Sequence, residues 1–266
     1  MTAAAATVQD PSLLRVVLYT VFRGVNRLKR RPSILVPSVV MPVFFVITFS
    51  SSFGGIARDP AFGTDNAFNW MTAYGVLQGA AFAGTGAAGM TAEDLENGFF
   101  DRLLLAPGSR SALLLGPLAF AAIRAVMPAI LVPVAATIVG GLDMPGGVLA
   151  TFGMALLGAV GTAIVFGLLS LAAVFVMKSQ KALLVSSLFV FSSLFMSTGQ
   201  APLDFQVGWL QWVARRNPIT PVIDLTRQGF IGDVTWAGTR PGLISLALMV
   251  AVLGALAHWL LSRLAP

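Results

Sequence analysis

A chain of 266 residues with 56% hydrophobic and 11% charged side chains has too few charges to cover a water-soluble surface; ordinary soluble domains carry about 25%. Lipid must be the solvent for much of it, as the mean hydropathy of +0.84 also says. With no cysteine and one histidine, disulfides, thiolate metal sites and a histidine metal centre are excluded, and the distribution of the charges makes the net +6 a matter of membrane topology rather than nucleic-acid binding.

Residues 1–11 are small and polar and read as a disordered tail. Residues 12–31 alternate Leu13, Val17, Phe22 and Val25 with Arg15, Arg23, Arg27 and Lys29 at helical spacing. This predicts an amphipathic helix lying on a membrane surface. A signal peptide is the competing reading, disfavoured by the long basic segment and the lack of a clean cleavage site. The first predicted span is 33–52, containing Pro37 and Pro42, long enough for a hydrocarbon core of about 30 Å. A Gly-, Asp- and Asn-rich loop follows at 53–67. The second span, 68–90, opens with Trp70 and Tyr74, which suits an interfacial aromatic belt. Its Gly75-x-x-x-Gly79, Gly84, Gly86 and Gly89 favour close helix packing over a direct ligand role.

Residues 91–110 are the most charged stretch after the N-terminus. Spans three to six are predicted at 111–139, with Pro117, Pro128 and Pro133, then 148–176, 182–199 and 241–262. Between the last two, Val207 to Val213 and Ile219 to Phe230 are apolar enough to dip into the membrane as short helices. The predicted fold is all-α: one polytopic domain, 1–266, with six transmembrane helices, an N-terminal amphipathic interfacial helix and short re-entrant outer helices before the last span.

Lys and Arg set the orientation. Arg15, Arg23, Arg27, Lys29, Arg30 and Arg31, then Arg102 and Arg110, then Lys178 and Lys181, then Arg263 fall on one side of a six-span chain. That side is expected to be the cytoplasm, with both termini there, in the plasma membrane of a bacterium. The four arginines within 200–240 weaken the asymmetry.

No phosphate-binding loop G-x-x-x-x-G-K-[ST], no Ser/His/Asp set and no paired intramembrane carboxylates occur, so an enzyme is not expected. Glu93, Asp94, Glu96 and Asp101 precede Leu103-Leu104-Leu105, and Leu95, Phe99, Phe100 and Leu103 would form an apolar face. Such a short amphipathic helix suits docking of a soluble partner, or is simply a solvated, capped loop. Arg124, mid-span, must face the protein interior or a wet cavity, pairing with Asp224 or with carbonyls freed near Pro128. Gln78, Phe82, Arg124, Phe191, Phe195 and Met196 are candidates for a translocation path, although most such residues simply pack. His258 reads as an interfacial residue.

The run Glu96-Asn97-Gly98-Phe99-Phe100-Asp101-Arg102-Leu103-Leu104, then Pro107-Gly108-Ser109-Arg110, resembles the cytoplasmic signature of the ABC-2 type permeases. Arg216-Asn217-Pro218-Ile219-Thr220-Pro221, then Asp224, Leu225 and Arg227, resembles that family's second, Asn-Pro signature. The order of elements extends the resemblance over nearly the whole chain, and the daunorubicin-resistance type of drug-export permease looks most similar. Asn97 departs from the basic residue of many relatives, and Gly98 is followed by Phe99 rather than a small polar residue.

The resemblance implies a permease subunit of an ATP-driven exporter of an amphipathic drug, lipid or secondary metabolite. It would pair with a second permease, identical or homologous, above two nucleotide-binding subunits. ATP and Mg would be held by those subunits, with no cofactor on this chain. Glu93, Asp94, Glu96, Gly98, Phe99, Asp101, Arg102 and Pro107 would belong to the ATPase-coupling helix, and Asn217, Pro218, Asp224 and Arg227 to short re-entrant outer helices. A proton-driven secondary multidrug transporter is the alternative, but the clear spans lack the buried acids or histidine it would favour.

Overall fold

The computed structural model describes residues 12–105 and 110–264; the tail 1–11 lies outside them. Ten α-helices account for most of the described chain: α1 (Leu13–Arg30), α2 (Met41–Phe53), α3 (Ala67–Glu96), α4 (Phe99–Leu105), α5 (Ser111–Gly140), α6 (Gly147–Met177), α7 (Lys181–Phe195), α8 (Gly208–Arg216), α9 (Thr220–Ile231) and α10 (Trp236–Arg263). Among the described residues, four stretches are long and apolar enough to cross a membrane: Val36–Phe53, Ser111–Gly140, Gly147–Met177 and Trp236–Arg263.

The other two predicted spans are helical but differ in character. Helix α7 is apolar but only 15 residues long. It stops at Phe195, short of the predicted 199, because the Asn217 side chain ties down the carbonyls of its last turn. Helix α3 is long, but it is rich in Ala, Gly and polar residues and buries 22 of its 30 residues. It is the central post of the bundle, packed chiefly against α5 and α6. By contrast, the most apolar stretch of α10 is 17% buried and leaves most of its surface exposed.

Small residues let α3 occupy that position. A Cβ on Gly84 would strike the Ala163 carbonyl and come within 2.8 Å of the Gly167 amide of α6; one on Gly79 would meet the Ser38 carbonyl and lie 2.5 Å from the Pro128 side chain. The packing reading of these glycines therefore holds. Trp70 and Tyr74, expected at an aromatic belt, are 7% and 1% exposed. They lie under Arg227 and against Phe195. Trp209, Trp212, Trp236 and Trp259 are the tryptophans that face outward.

The chain between α1 and α2 is not α-helical. Pro32–Leu35 form a 3-10 turn and Val36–Val40 a π-helical turn, closed by Met41 N–H on the Val36 carbonyl. Pro32, Pro37 and Pro42 recur every five residues. Each removes an amide donor and crowds the carbonyl four residues back, which disrupts α-helical bonding.

Helix α1 is amphipathic, but not in the simplest sense. Thr20 and Gly24 meet Gly116 and Phe120 of α5, so its small face packs inward. Leu14, Leu18, Tyr19 and Phe22 remain exposed as a continuous apolar strip. Such a strip suits contact with the membrane interface.

Candidate functional site

The residues singled out from the sequence fall into three places. The first is the end of the bundle where α3 terminates. Gly98, with φ +67°, breaks the chain between α3 and α4, a backbone geometry that glycine adopts without strain. Beyond it α4 divides its side chains by face. Phe100 and Leu104 are buried beside Phe175, whereas Phe99, Asp101, Arg102 and Leu105 are exposed. The expected grouping of Phe99 with Phe100 on one face is corrected: adjacent helical residues point about 100° apart. Pro107 lies outside the described residues.

The acids preceding α4 are engaged within the chain. Asp94 accepts two hydrogen bonds from the Arg23 guanidinium, at 3.1 and 2.5 Å, and Glu93 pairs with Arg27. These bonds clamp α1 to the end of α3. Glu96 accepts from Ser179 Oγ at 2.7 Å, from the Gln180 amide at 2.8 Å and from Gln180 Nε2 at 2.9 Å. It thereby caps the start of α7. The Gln180 amide, followed by the Ser179 hydroxyl, holds the Glu96 carboxyl below its usual pKa.

A depressed carboxylate stabilises where it is ionised. The Glu96 tie is therefore expected to be complete above the ordinary glutamate range and lost as pH falls through its lowered pKa. Glu96→Gln should remove that pH dependence. Hydrogen exchange of the Gln180 amide measures this; protection equal to wild type at neutral pH in Glu96→Ala, which has no acceptor, would contradict the tie.

The second place lies between α2, α3, α5 and α7. Phe82 and Phe191 meet edge to face at 5.3 Å, as do Phe195 and Phe45 at 6.2 Å, while Phe191 and Phe195 are tilted at 6.0 Å. Phe45, Phe49 and Phe53 continue the series along α2. Met196, at the end of α7, is exposed. Gln78 is fully buried one turn before Phe82 on the same face, with neither amide atom hydrogen-bonded among the described residues. Arg124 is 3% exposed. Its Nη2 donates to Ser38 Oγ at 3.4 Å, and the guanidinium lies flush on Gly86. It does not pair with Asp224, as expected from the sequence, because Asp224 belongs to the third place. A central charge costs about 2.5–3.5 kcal/mol on insertion scales.

The third place is the opposite end of the bundle. Asn217 Nδ2 donates to the Ser193 and Met196 carbonyls at 2.6 and 2.7 Å, while its Oδ1 accepts from the Ile219 amide at 2.9 Å. One side chain thus caps the end of α7 and the approach to α9. The Pro218 carbonyl accepts from Ser245 Oγ of α10 at 2.5 Å. Arg227, 4% exposed, pairs with Asp224 at 2.8 Å and donates to the Thr198 carbonyl at 2.7 Å. Its guanidinium covers the Trp70 ring at 3.5 Å. Helices α8 and α9 are the short helices that the two apolar runs predict.

The family model described as ABC-2 type transporter matches residues 15–231. The chain is 30% identical over 233 residues to a protein of Pyropia yezoensis that bears the name transport permease ycf38, covering 86% of this chain and 78% of the relative. It is 28% identical over 241 residues to the protein of that name from Porphyra purpurea, covering 85% and 81%. ABC-2 permeases are transport proteins that work with an ATP-binding subunit. This chain, with its membrane-crossing helices, is a membrane protein and belongs to the ABC-2 type transporter family.

Proposed function

We propose that the chain is the permease subunit of an ATP-driven exporter in a bacterial plasma membrane, with both termini cytoplasmic. Helices α2, α3, α5, α6, α7 and α10 form six spans, α1 lies along the cytoplasmic interface, and α8 and α9 are re-entrant outer helices. The cargo is an amphipathic drug, lipid or secondary metabolite, and the chain is most like the drug-export permeases of the daunorubicin-resistance type. Two nucleotide-binding subunits, holding ATP and Mg, dock on a pair of permeases.

The observation that carries this reading is the two-sided α4 in a chain of this family. Phe100 and Leu104 bind it to the bundle, and Phe99, Asp101, Arg102 and Leu105 project outward. A short helix anchored by one face and displaying aromatic and charged groups on the other suits a groove on a soluble partner. Glu93, Asp94 and Glu96 act one step behind it, tying the end of α3 to α1 and α7, so that a displacement of α4 is passed to α3, α1 and α7. The translocation path is the aromatic face of Phe82, Phe191 and Phe195 with Gln78, Arg124 and Met196; it opens where a second permease would sit.

The test is co-purification with candidate ATP-binding subunits in mild detergent. Wild type should retain an ATPase. Asp101→Arg/Arg102→Glu, at two exposed positions, should reduce retention and stimulated ATP hydrolysis by at least about tenfold, as expected when contacts worth roughly 1.4 kcal/mol or more are lost. A stable, folded wild type that binds no ATPase would overturn the reading.

A further inference from the structure

A groove of about 500 Å³ runs between α1 and the end of α3. Arg23, Arg27, Arg30 and Arg31 line it, against the acids Glu93 and Asp94. Each acid is already engaged, Asp94 with Arg23 and Glu93 with Arg27. Arg30 and Arg31 are exposed, and their side chains make no hydrogen bond or ion pair among the described residues. The groove thus carries two positive charges that no acid lining it answers. A basic last turn also complements the helix dipole, but that needs neither a groove nor an apolar neighbour.

The apolar neighbours decide which anion fits. Tyr19 and Phe22 line the same groove and belong to the exposed strip that Leu14 and Leu18 continue. Residues three and four apart on a helix are neighbours, so Tyr19, Phe22, Asn26 and Arg30 follow one another along one face of α1. Asn26, between the rings and Arg30, brings a side-chain amide that makes no hydrogen bond among the described residues. Guanidinium matches phosphate oxygens in a bidentate fork, and basic residues beside a membrane are drawn to its anionic lipids. A free anion would use the arginines and leave the rings bare. A phosphate that carries acyl chains uses both ends of the groove.

We infer that this groove binds the headgroup of an anionic phospholipid, with Arg30 and Arg31 on its phosphate, Asn26 on its polar headgroup, and Tyr19 and Phe22 along the start of its acyl chains. The site goes beyond the proposed function and rests only on the placement of α1 along the interface. A lipid seated there borders the Arg23–Asp94 and Arg27–Glu93 pairs, so the anionic content of the membrane bears on the junction of α1 with α3.

The test uses the purified full-length protein in phosphatidylcholine nanodiscs with a trace of probe lipid carrying a diazirine in its acyl chain. The probe is either phosphatidylglycerol or phosphatidylcholine. Photolabelling of peptides covering Tyr19 and Phe22 should be at least about tenfold stronger with the phosphatidylglycerol probe, the order expected of two basic contacts at a membrane surface. The exposed middle of α10, around Leu248 and Val252, is the internal reference and should not distinguish the probes. Arg30→Gln/Arg31→Gln should bring the ratio to within about twofold of unity, since both basic contacts are gone. Arg15→Gln/Lys29→Gln removes the same charge from exposed positions of α1 that do not line the groove, and should keep most of the preference.

Equal labelling by the two probes would overturn the inference. So would an equal loss in both double variants, which would mean diffuse attraction of a basic helix to an anionic surface. Loss of labelling on adding inorganic phosphate would make the groove a free-anion site and overturn it too. If Arg30→Gln/Arg31→Gln does not fold, the wild-type ratio and the phosphate competition decide. If neither probe labels α1, its placement along the interface falls together with the site. The assay needs no ATPase, so a chain that fails co-purification yet shows the preference loses the proposed exporter role and keeps this site.

Discussion

Gly84→Val is expected to destabilise the bundle by about 3 kcal/mol, the upper end for overpacking, seen as a lower melting temperature and a lower folded yield in detergent. The reason is the identity of the atoms in the way. A side chain at Gly84 meets the Ala163 carbonyl and the Gly167 amide, both backbone. Neither can rotate aside; α6 itself must move, and with it the packing of α3 against α5 and α9. Two other glycines provide the contrast. At Gly89 the nearest obstacle is the tip of Leu183 at 3.3 Å, so Gly89→Ala should cost under about 1 kcal/mol. Gly153, exposed in α6 with nothing nearby, should gain about 0.5–1 kcal/mol as Ala, since glycine is a poor helix former. Equal losses at Gly84 and Gly89 would mean that the α3–α6 crossing is looser than the structure has it.

The second large effect is expected at Arg227. Arg227→Ala removes the donor to the buried Thr198 carbonyl, the partner of Asp224 and the cover over Trp70. A buried group left without its partner costs about 1–3 kcal/mol, and the lost stacking adds about 1 kcal/mol, so a total of about 2–4 kcal/mol is expected. Removing the acid should matter less. The Asp224 side chain is 50% exposed, and exposed pairs contribute roughly 0–1 kcal/mol. Arg227→Lys should fall between, because one ammonium cannot both reach the carbonyl and lie flat on the indole. Thermal unfolding of the three variants gives the order directly; Asp224→Ala costing as much as Arg227→Ala would show that the ion pair, rather than the carbonyl and ring, holds the segment.

Local features of this chain were open to sequence reading because local physics sets them. The apolar runs predict α5 and α6 to within a residue and α10 to within five, whereas the break at Gly98 is not anticipated: α3 continues past the predicted 90 to Glu96, so Glu93, Asp94 and Glu96 belong to α3 rather than to one helix with Phe99. The charged stretch before Leu103 marks the bundle end where the chain ties itself together. What could not be read is which partner each side chain finds. Arg23 meets Asp94 across 71 residues of sequence, and Arg124 meets Ser38 across 86; neither spacing carries a periodic signal. Trp70 and Tyr74 misled for a related reason. Aromatics at a span's edge suggest an interface, but α3 is surrounded, so its edge is interior. Ser38 and the Arg227–Trp70 stack had no local signature at all.

The irregular stretch from Pro32 to Val40 has a mechanical meaning. Helix α1 is riveted to the base of α3 by two guanidinium–carboxylate pairs, and its small face is seated on α5. Helix α2, 22% buried over its apolar stretch, is held much less firmly. The proline-spaced turns between them supply few of the regular hydrogen bonds that make an α-helix a stiff rod. Stress arriving at α1 thus meets a compliant coupling before it reaches α2, so rotation of the rigid part and tilting of α2 are partly decoupled. The wall formed by Phe45 and Phe49 is the part of the aromatic surface free to yield, while the wall on α3 stays fixed.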